Sequence, residues 1–176
     1  MTELPGLLAE LGATQEKLER LLWEIAWEAH SGAAEREDAA DIPESKVVQI
    51  ARKHLGDWGR AGQFVQYTEE RAHLLVGRGG GDEKMFAFPH RTFQEYLAAC
   101  QLAFSERRLG RQAAKLAAEG DTWREVLNLV AGALTFVGKT PGKVMDVVED
   151  MLPTGLPAAD DVGGWRRVWL GGEMVL

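Results

Sequence analysis

Apolar residues recur at helical spacing along most of the chain. Leu18, Leu22, Ile25 and Ala29 make one face between about Gln15 and His30, with Trp23 and Trp27 one turn apart at its edge. Thr14 stands where the N-cap belongs. The small and charged run 31–40 reads as a loop. Asp41-Ile42-Pro43-Glu44 then has the form of a capping box, and Val47, Ile50, Ala51 and Leu55 give a second helix its inner face. Gly56 and Gly59 mark a turn, after which Phe64, Tyr67 and Thr68 predict a third helix over about 62–72.

The period then changes. Leu74-Leu75-Val76 and Met85-Phe86-Ala87-Phe88 are short apolar runs on either side of a glycine-rich turn, the pattern of a β-hairpin. A helix follows from about Thr92, with Thr92 and Glu95 spaced as a second capping box and Phe93, Leu97, Cys100 and Phe104 as its buried stripe. Beyond Leu109 the pattern is wholly helical. A helix carrying Ala113 and Leu116 ends at Gly120. Asp121-Thr122 caps one with Trp123, Val126, Leu127, Val130 and Leu134 inside. Thr140-Pro141 caps one with Val144, Val148 and Met151 inside. After a turn over 153–157, a last helix carries Trp165, Val168 and Trp169 toward Leu176.

The expected fold is therefore mainly α. A winged helix over 14–108, three helices plus a β-hairpin wing, precedes an α-helical, solenoid-like region over 109–176. Residues 1–13 read as a lead-in whose Leu4, Leu7, Leu8 and Leu11 pack on a preceding helical domain.

Composition narrows the classes of function. With 20 Lys and Arg against 27 Asp and Glu, the net charge of -7 disfavours general affinity for nucleic acid or an anionic membrane. Apolar residues at 45% and charged residues at 27% are ordinary for a globular protein. The apolar runs fall short of the ~20 residues that span a bilayer. A single cysteine, Cys100, set among Ala98, Ala99 and Leu102, reads as a buried thiol and fits a reducing cytoplasm. The four histidines lack metal-ligand spacing.

Two segments could carry chemistry. Gly77-Arg78-Gly79-Gly80-Gly81 is rich in glycine, but a phosphate loop needs lysine and a hydroxyl residue next, opening a helix. Here Asp82-Glu83 and a strand follow, so the segment reads as a hairpin tip. His90 lies between the second strand and a helix start, where free amides and the helix dipole suit an anion. An imidazole there either braces the turn or donates to a phosphate oxygen, with Arg91 adding charge.

The stretch Phe86-Ala87-Phe88-Pro89-His90-Arg91-Thr92-Phe93-Gln94-Glu95-Tyr96-Leu97-Ala98-Ala99 resembles the F-x-F-x-H-x-x-F-Q-E-Y-L-A-A signature of NACHT-type signalling NTPases. Arg71-Ala72-His73-Leu74-Leu75 is similar to the family's R-x-x-L-L step, and Trp123-Arg124-Glu125-Val126 to its W-R-E-V helix. The resemblance implies a C-terminal fragment of a longer switch. In that switch the histidine matching His90 contacts the β-phosphate of ADP held by an NTPase domain, and Arg91 is a secondary candidate. It also implies ADP or ATP with magnesium in the parent protein but no cofactor in this fragment. The implied partners are the parent's own NTPase domain, signalling proteins, and a second copy through the exposed domain interface. Glu95 is read as serving the cap and Gln94 as bonding nearby backbone. No nucleophile–base pair is visible, so the fragment is expected to be non-catalytic. The competing readings are a DNA-binding winged helix, which would need a basic recognition helix and wing, and a helical protein-interaction scaffold.

Overall fold

The computed structural model describes residues 8–36, 41–79 and 83–175. They are mainly helical, as the apolar spacing requires, and fall into two compact units, Met1–Leu97 and Ala98–Leu176. The division lies inside a helix, not after Arg108 as expected. One continuous helix contributes its first half to one unit and its second half to the other.

The first unit opens with α1 (Gln15–Arg36) and then places β1 (Ile42–Pro43), α2 (Glu44–Leu55), α3 (Trp58–Glu70), β2 (Val76–Arg78) and β3 (Met85–Ala87) in turn. The three strands form an antiparallel sheet in the order β1-β3-β2, with Ile42 opposite Phe86 and Val76 opposite Ala87. Leu21, Ile25, Val47, Phe64 and Phe86 are fully enclosed. In α1 it is Leu21, not Leu22, that sits deepest. Leu11 is also fully buried, so it belongs to this unit's own core and not to a preceding domain. Residues 1–7, with Leu4 and Leu7, lie outside the described residues.

Several boundaries differ from expectation. α1 runs through Arg36 instead of stopping at His30, because Ala33, Ala34, Glu35 and Arg36 are good helix formers that outweigh Gly32; residues 37–40 are not described. α3 starts at Trp58, four residues early, because the Asp57 carboxylate accepts from the Arg60 amide at 2.9 Å and caps it. The expected box at Asp41 and Glu44 does not form. Ile42 and Pro43 are drawn into the sheet instead, and the Asp41 carboxylate meets Arg78 at 3.1 Å. The amides at the start of α2 find partners on the hairpin: Glu44 N–H donates to Lys84 O at 2.9 Å and Ser45 N–H to Glu83 Oε1 at 2.9 Å. Hydrogen bonds from Ser45 hold the Glu83 carboxyl below the usual carboxylate range. At the other end, Gly56 closes α2 in the left-handed region at φ 79°, which glycine adopts without strain.

Helix α4 (Arg91–Ser105) leads into the second unit, followed by α5 (Leu109–Glu119), a 3-10 turn (Asp121–Trp123), α6 (Arg124–Gly132), a π turn (Ala133–Val137), α7 (Gly142–Met151) and α8 (Val162–Glu173). Cys100 is buried, while Phe93 and Phe104 at the ends of the predicted stripe are only half-buried. Trp123, Val126, Leu127, Val130, Leu134, Val144, Val148 and Met151 are buried as their spacing predicts. Asp121 and Thr122 enter the 3-10 turn, and α6 starts only at Arg124, with Trp123 at its cap position. The last helix ends at Glu173, short of Leu176. Arg167 of α8 donates to carbonyls at the end of α7 and just past it, from Nε to Met151 O at 2.6 Å and from Nη2 to Leu152 O at 3.1 Å. Arg124 and Asn128 of α6 both hold Glu173.

Two predictions follow from packing and charge. A Cβ at Gly110 of α5 would meet the Cβ of Asp150 on α7, whereas one at the exposed Gly62 of α3 would meet nothing. Gly110→Ala should lower unfolding free energy by about 1–3 kcal/mol, and Gly62→Ala should raise it by about 0.5–1 kcal/mol, as read from chemical denaturation. The second concerns Glu24, whose carboxylate meets Lys53 and His54 at 2.7 Å each. Burial pushes the Glu24 carboxyl up, but hydrogen bonds from Lys53 and His54 outweigh it and leave it below its ordinary value. Its stabilising contribution should be complete above the unfolded carboxyl range near pH ~4.3. It should be lost as pH falls through the depressed folded value. Thermal melts on the acid side should show a shallower pH dependence for Glu24→Gln than for the parent chain.

Candidate functional site at the strand-to-helix junction

Strand β3 and helix α4 are separated by only three residues, Phe88 to His90. The junction is clamped from both ends. Phe88, 5% exposed, meets Phe93 edge-on at 6.0 Å between centroids and 71° between planes. This contact resembles a hydrophobic staple and fixes the angle at which the chain enters the helix.

Within the clamp, the Gln94 amide donates to His90 O at 3.2 Å. That first intrahelical bond puts His90 at the cap position, one residue before the helix. The first-turn amides beyond it lack intrahelical acceptors and carry the positive end of the dipole. Pro89 and His90 are exposed, so the imidazole stands in solvent beside those donors.

Arg91 is placed differently from the expectation. Its Nε lies 2.8 Å from Glu95 Oε1, one turn along, with 75% of its side chain exposed and only 6% of the Glu95 side chain. Much of its charge is therefore committed to a buried carboxylate. The same pair explains why the Thr92–Glu95 capping box does not form. The helix begins at Arg91, so Glu95 is five positions past the cap, where a box needs three.

Gln94 also departs from its expected role. The residue is 3% exposed, and its Nε2 is buried without a hydrogen-bond partner. It follows His90 by four residues, and helical side chains lean toward the N-terminal turn. The orphan Nε2 is enclosed, whereas His90 at the cap is exposed. No sequence signal separates a bonded glutamine from an orphaned one, so this feature emerges only in three dimensions.

The glycine-rich hairpin offers little to an anion. Lys84 Nζ lies 2.6 Å from Glu69 Oε2, and this pair crosses directly over Gly77. Arg78 is engaged by Asp41. The tip at residues 80–82 lies outside the described residues. Among the described residues, no group of three His, Cys, Asp or Glu side chains could hold a metal ion, and no helix is long and apolar enough to cross a membrane.

The orphan Gln94 amide supplies a test. Leaving a buried donor unpaired costs about 1–3 kcal/mol, whereas an apolar side chain of similar shape has no such penalty. Gln94→Met should therefore stabilise the chain by roughly 1 kcal/mol in denaturant titration, and Gln94→Glu should destabilise it. No protein-family model, curated protein or solved structure matches this chain.

Proposed function

We propose that this chain is the non-catalytic regulatory module of a NACHT-type nucleotide-dependent switch. In this reading the three helices and small sheet of the first unit are its winged helix. His90 senses the nucleotide held by an NTPase domain elsewhere in the parent chain. The observation that carries the proposal is the exposed His90 imidazole at the cap of a fifteen-residue helix, beside amides with no intrahelical acceptor. The signature from Phe86 to Ala99 and the NACHT resemblance of that stretch supply the identity of the ligand.

The residues present fit one phosphate contact. His90 can donate one hydrogen bond, first-turn amides can add others, and the dipole favours the negative charge. Arg91 contributes less than its sequence position implies, because Glu95 already engages it. The parent's ADP or ATP would supply the phosphate, and magnesium would be held by the NTPase domain. The proposed compartment is the cytoplasm, and the proposed partners are that domain, signalling proteins and a second copy of the chain.

The physical content of such a switch is differential binding. A ligand shifts a two-state equilibrium only as far as it prefers one state. A charge-assisted hydrogen bond contributes about 1.5–3 kcal/mol, enough to bias the states by roughly one to two powers of ten. The wing's engaged cations, Lys84 and Arg78, weigh against the DNA-binding alternative, which needs them free for phosphates.

In the intact parent protein, His90→Ala should weaken ADP binding by roughly 10- to 100-fold and raise basal signalling. Isothermal titration with ADP and an effector readout measure both. Unchanged ADP affinity with unchanged basal output would refute the proposal, as would a reading frame upstream of Met1 that encodes no P-loop.

A further inference from the structure

In the second unit, α6 and α7 are joined through the π turn and a short connection over 138–141. The connection is closed by its own backbone. The Gly138 amide donates to Ala133 O at 2.9 Å, and the Thr140 amide donates to Leu134 O at 2.9 Å. Leu134 is fully buried beneath it, but two residues on Phe136 is 80% exposed. Val137 and, near the start of α7, Met145 are each 50% exposed. The tip of this helical hairpin therefore presents apolar side chains to solvent.

Cations gather near the tip. From Val126 to Met145 the chain carries no Asp or Glu, while Lys139 and Lys143 fall inside that stretch. Both lysines are exposed, and neither has a carboxylate partner among the described residues. Phe104 lies against the same connection, since a Cβ at Gly138 would meet its ring at 3.0 Å. The turn after Phe104 carries Arg107 and Arg108, also exposed and without carboxylate partners among the described residues. Glu106 is the one carboxylate of that turn, and it accepts from the Arg108 amide at 3.0 Å. The next carboxylate along α7, Asp146, shares a helix face with Asp150, which stands against Gly110 of α5.

We propose that the α6–α7 tip inserts into an anionic lipid surface, with Phe136 and Val137 below the headgroups and Lys139 and Lys143 among them. Peripheral attachment takes two signals, an apolar insertion and a basic patch, because either alone is marginal. This tip has both, and its cations are not neutralised by neighbouring carboxylates. Lysine side chains are long enough to hold their charge at headgroup level while apolar neighbours insert. The acidic balance of the whole chain does not cancel the local attraction, because exposed charges more than about 8 Å away are largely screened at physiological salt. Val137 and Met145 are aliphatic and offer no ring for bases to stack on, which sets the tip apart from a single-strand nucleic-acid site.

The test is sedimentation of the full chain with phosphatidylcholine vesicles, made with and without phosphatidylserine. The chain should sediment with the mixed vesicles, and either added salt or omission of phosphatidylserine should reduce the bound fraction. Lys139→Gln and Lys143→Gln should each weaken binding about fivefold, and Phe136→Ser about tenfold. All three positions are exposed, and thermal melts check that each variant is folded. Leu156→Ser, at an 88% exposed leucine beyond the other end of α7, should leave binding unchanged. No sedimentation, equal sedimentation with phosphatidylcholine alone, equal weakening by Leu156→Ser, or displacement of the vesicles by single-stranded DNA would overturn the proposal. None of these outcomes depends on nucleotide or on His90, so this proposal and the switch reading fail separately.

Discussion

Strand β3 is the middle strand of a three-stranded sheet, paired on one side with its hairpin partner and on the other with Ile42 and Pro43. The rest of the first unit depends on that second pairing. It carries the hairpin to the start of α2, where Lys84 and Glu83 accept from the first amides of the helix. A helix that would otherwise need its own cap is capped from 38 residues away. Proline is compatible with the arrangement because β1 is an edge strand, where a missing amide breaks no interior ladder. The pairing also buries Phe86 and so sets where the chain emerges toward His90.

The junction that follows combines rigidity with exposure. Phe88 and Phe93 clamp the turn, and the sheet anchors one side of it. His90 is left in solvent at the cap. One turn on, the helix tolerates two polar groups in a buried environment, the Glu95 carboxylate held by Arg91 and the Gln94 Nε2, which has no partner. A fold optimised for stability alone would place apolar side chains at both positions, since an unpaired buried donor is costly.

Much of the architecture could be read from spacing. The apolar faces of α2, α6 and α7, the hairpin and the buried Cys100 follow from side-chain period and turn chemistry. The departures cluster at helix starts. Asp41 and Glu44, like Thr92 and Glu95, have the spacing of capping boxes, yet neither box forms. In both cases a competing partner wins: Arg78 takes Asp41, and Arg91 takes Glu95. A local pattern states what a side chain can reach within its own turn; it is silent about a cation delivered by another strand or by the next turn. The long reach of α1 through Arg36 is a simpler case, in which helix propensity outweighed a serine and a glycine.

By itself the sequence determined the helical class, the place of the hairpin and the position of His90 between strand and helix. These depend on side-chain period and on glycine and proline, which act within a few residues. Tertiary structure alone decided that Glu83 caps α2, that Arg91 is committed to Glu95, that the Gln94 Nε2 is orphaned, and that Arg52 lies over the Trp58 ring. Each of these is set by which polar group arrives first at a charge or an amide. That outcome depends on distances across the fold, which no local pattern encodes.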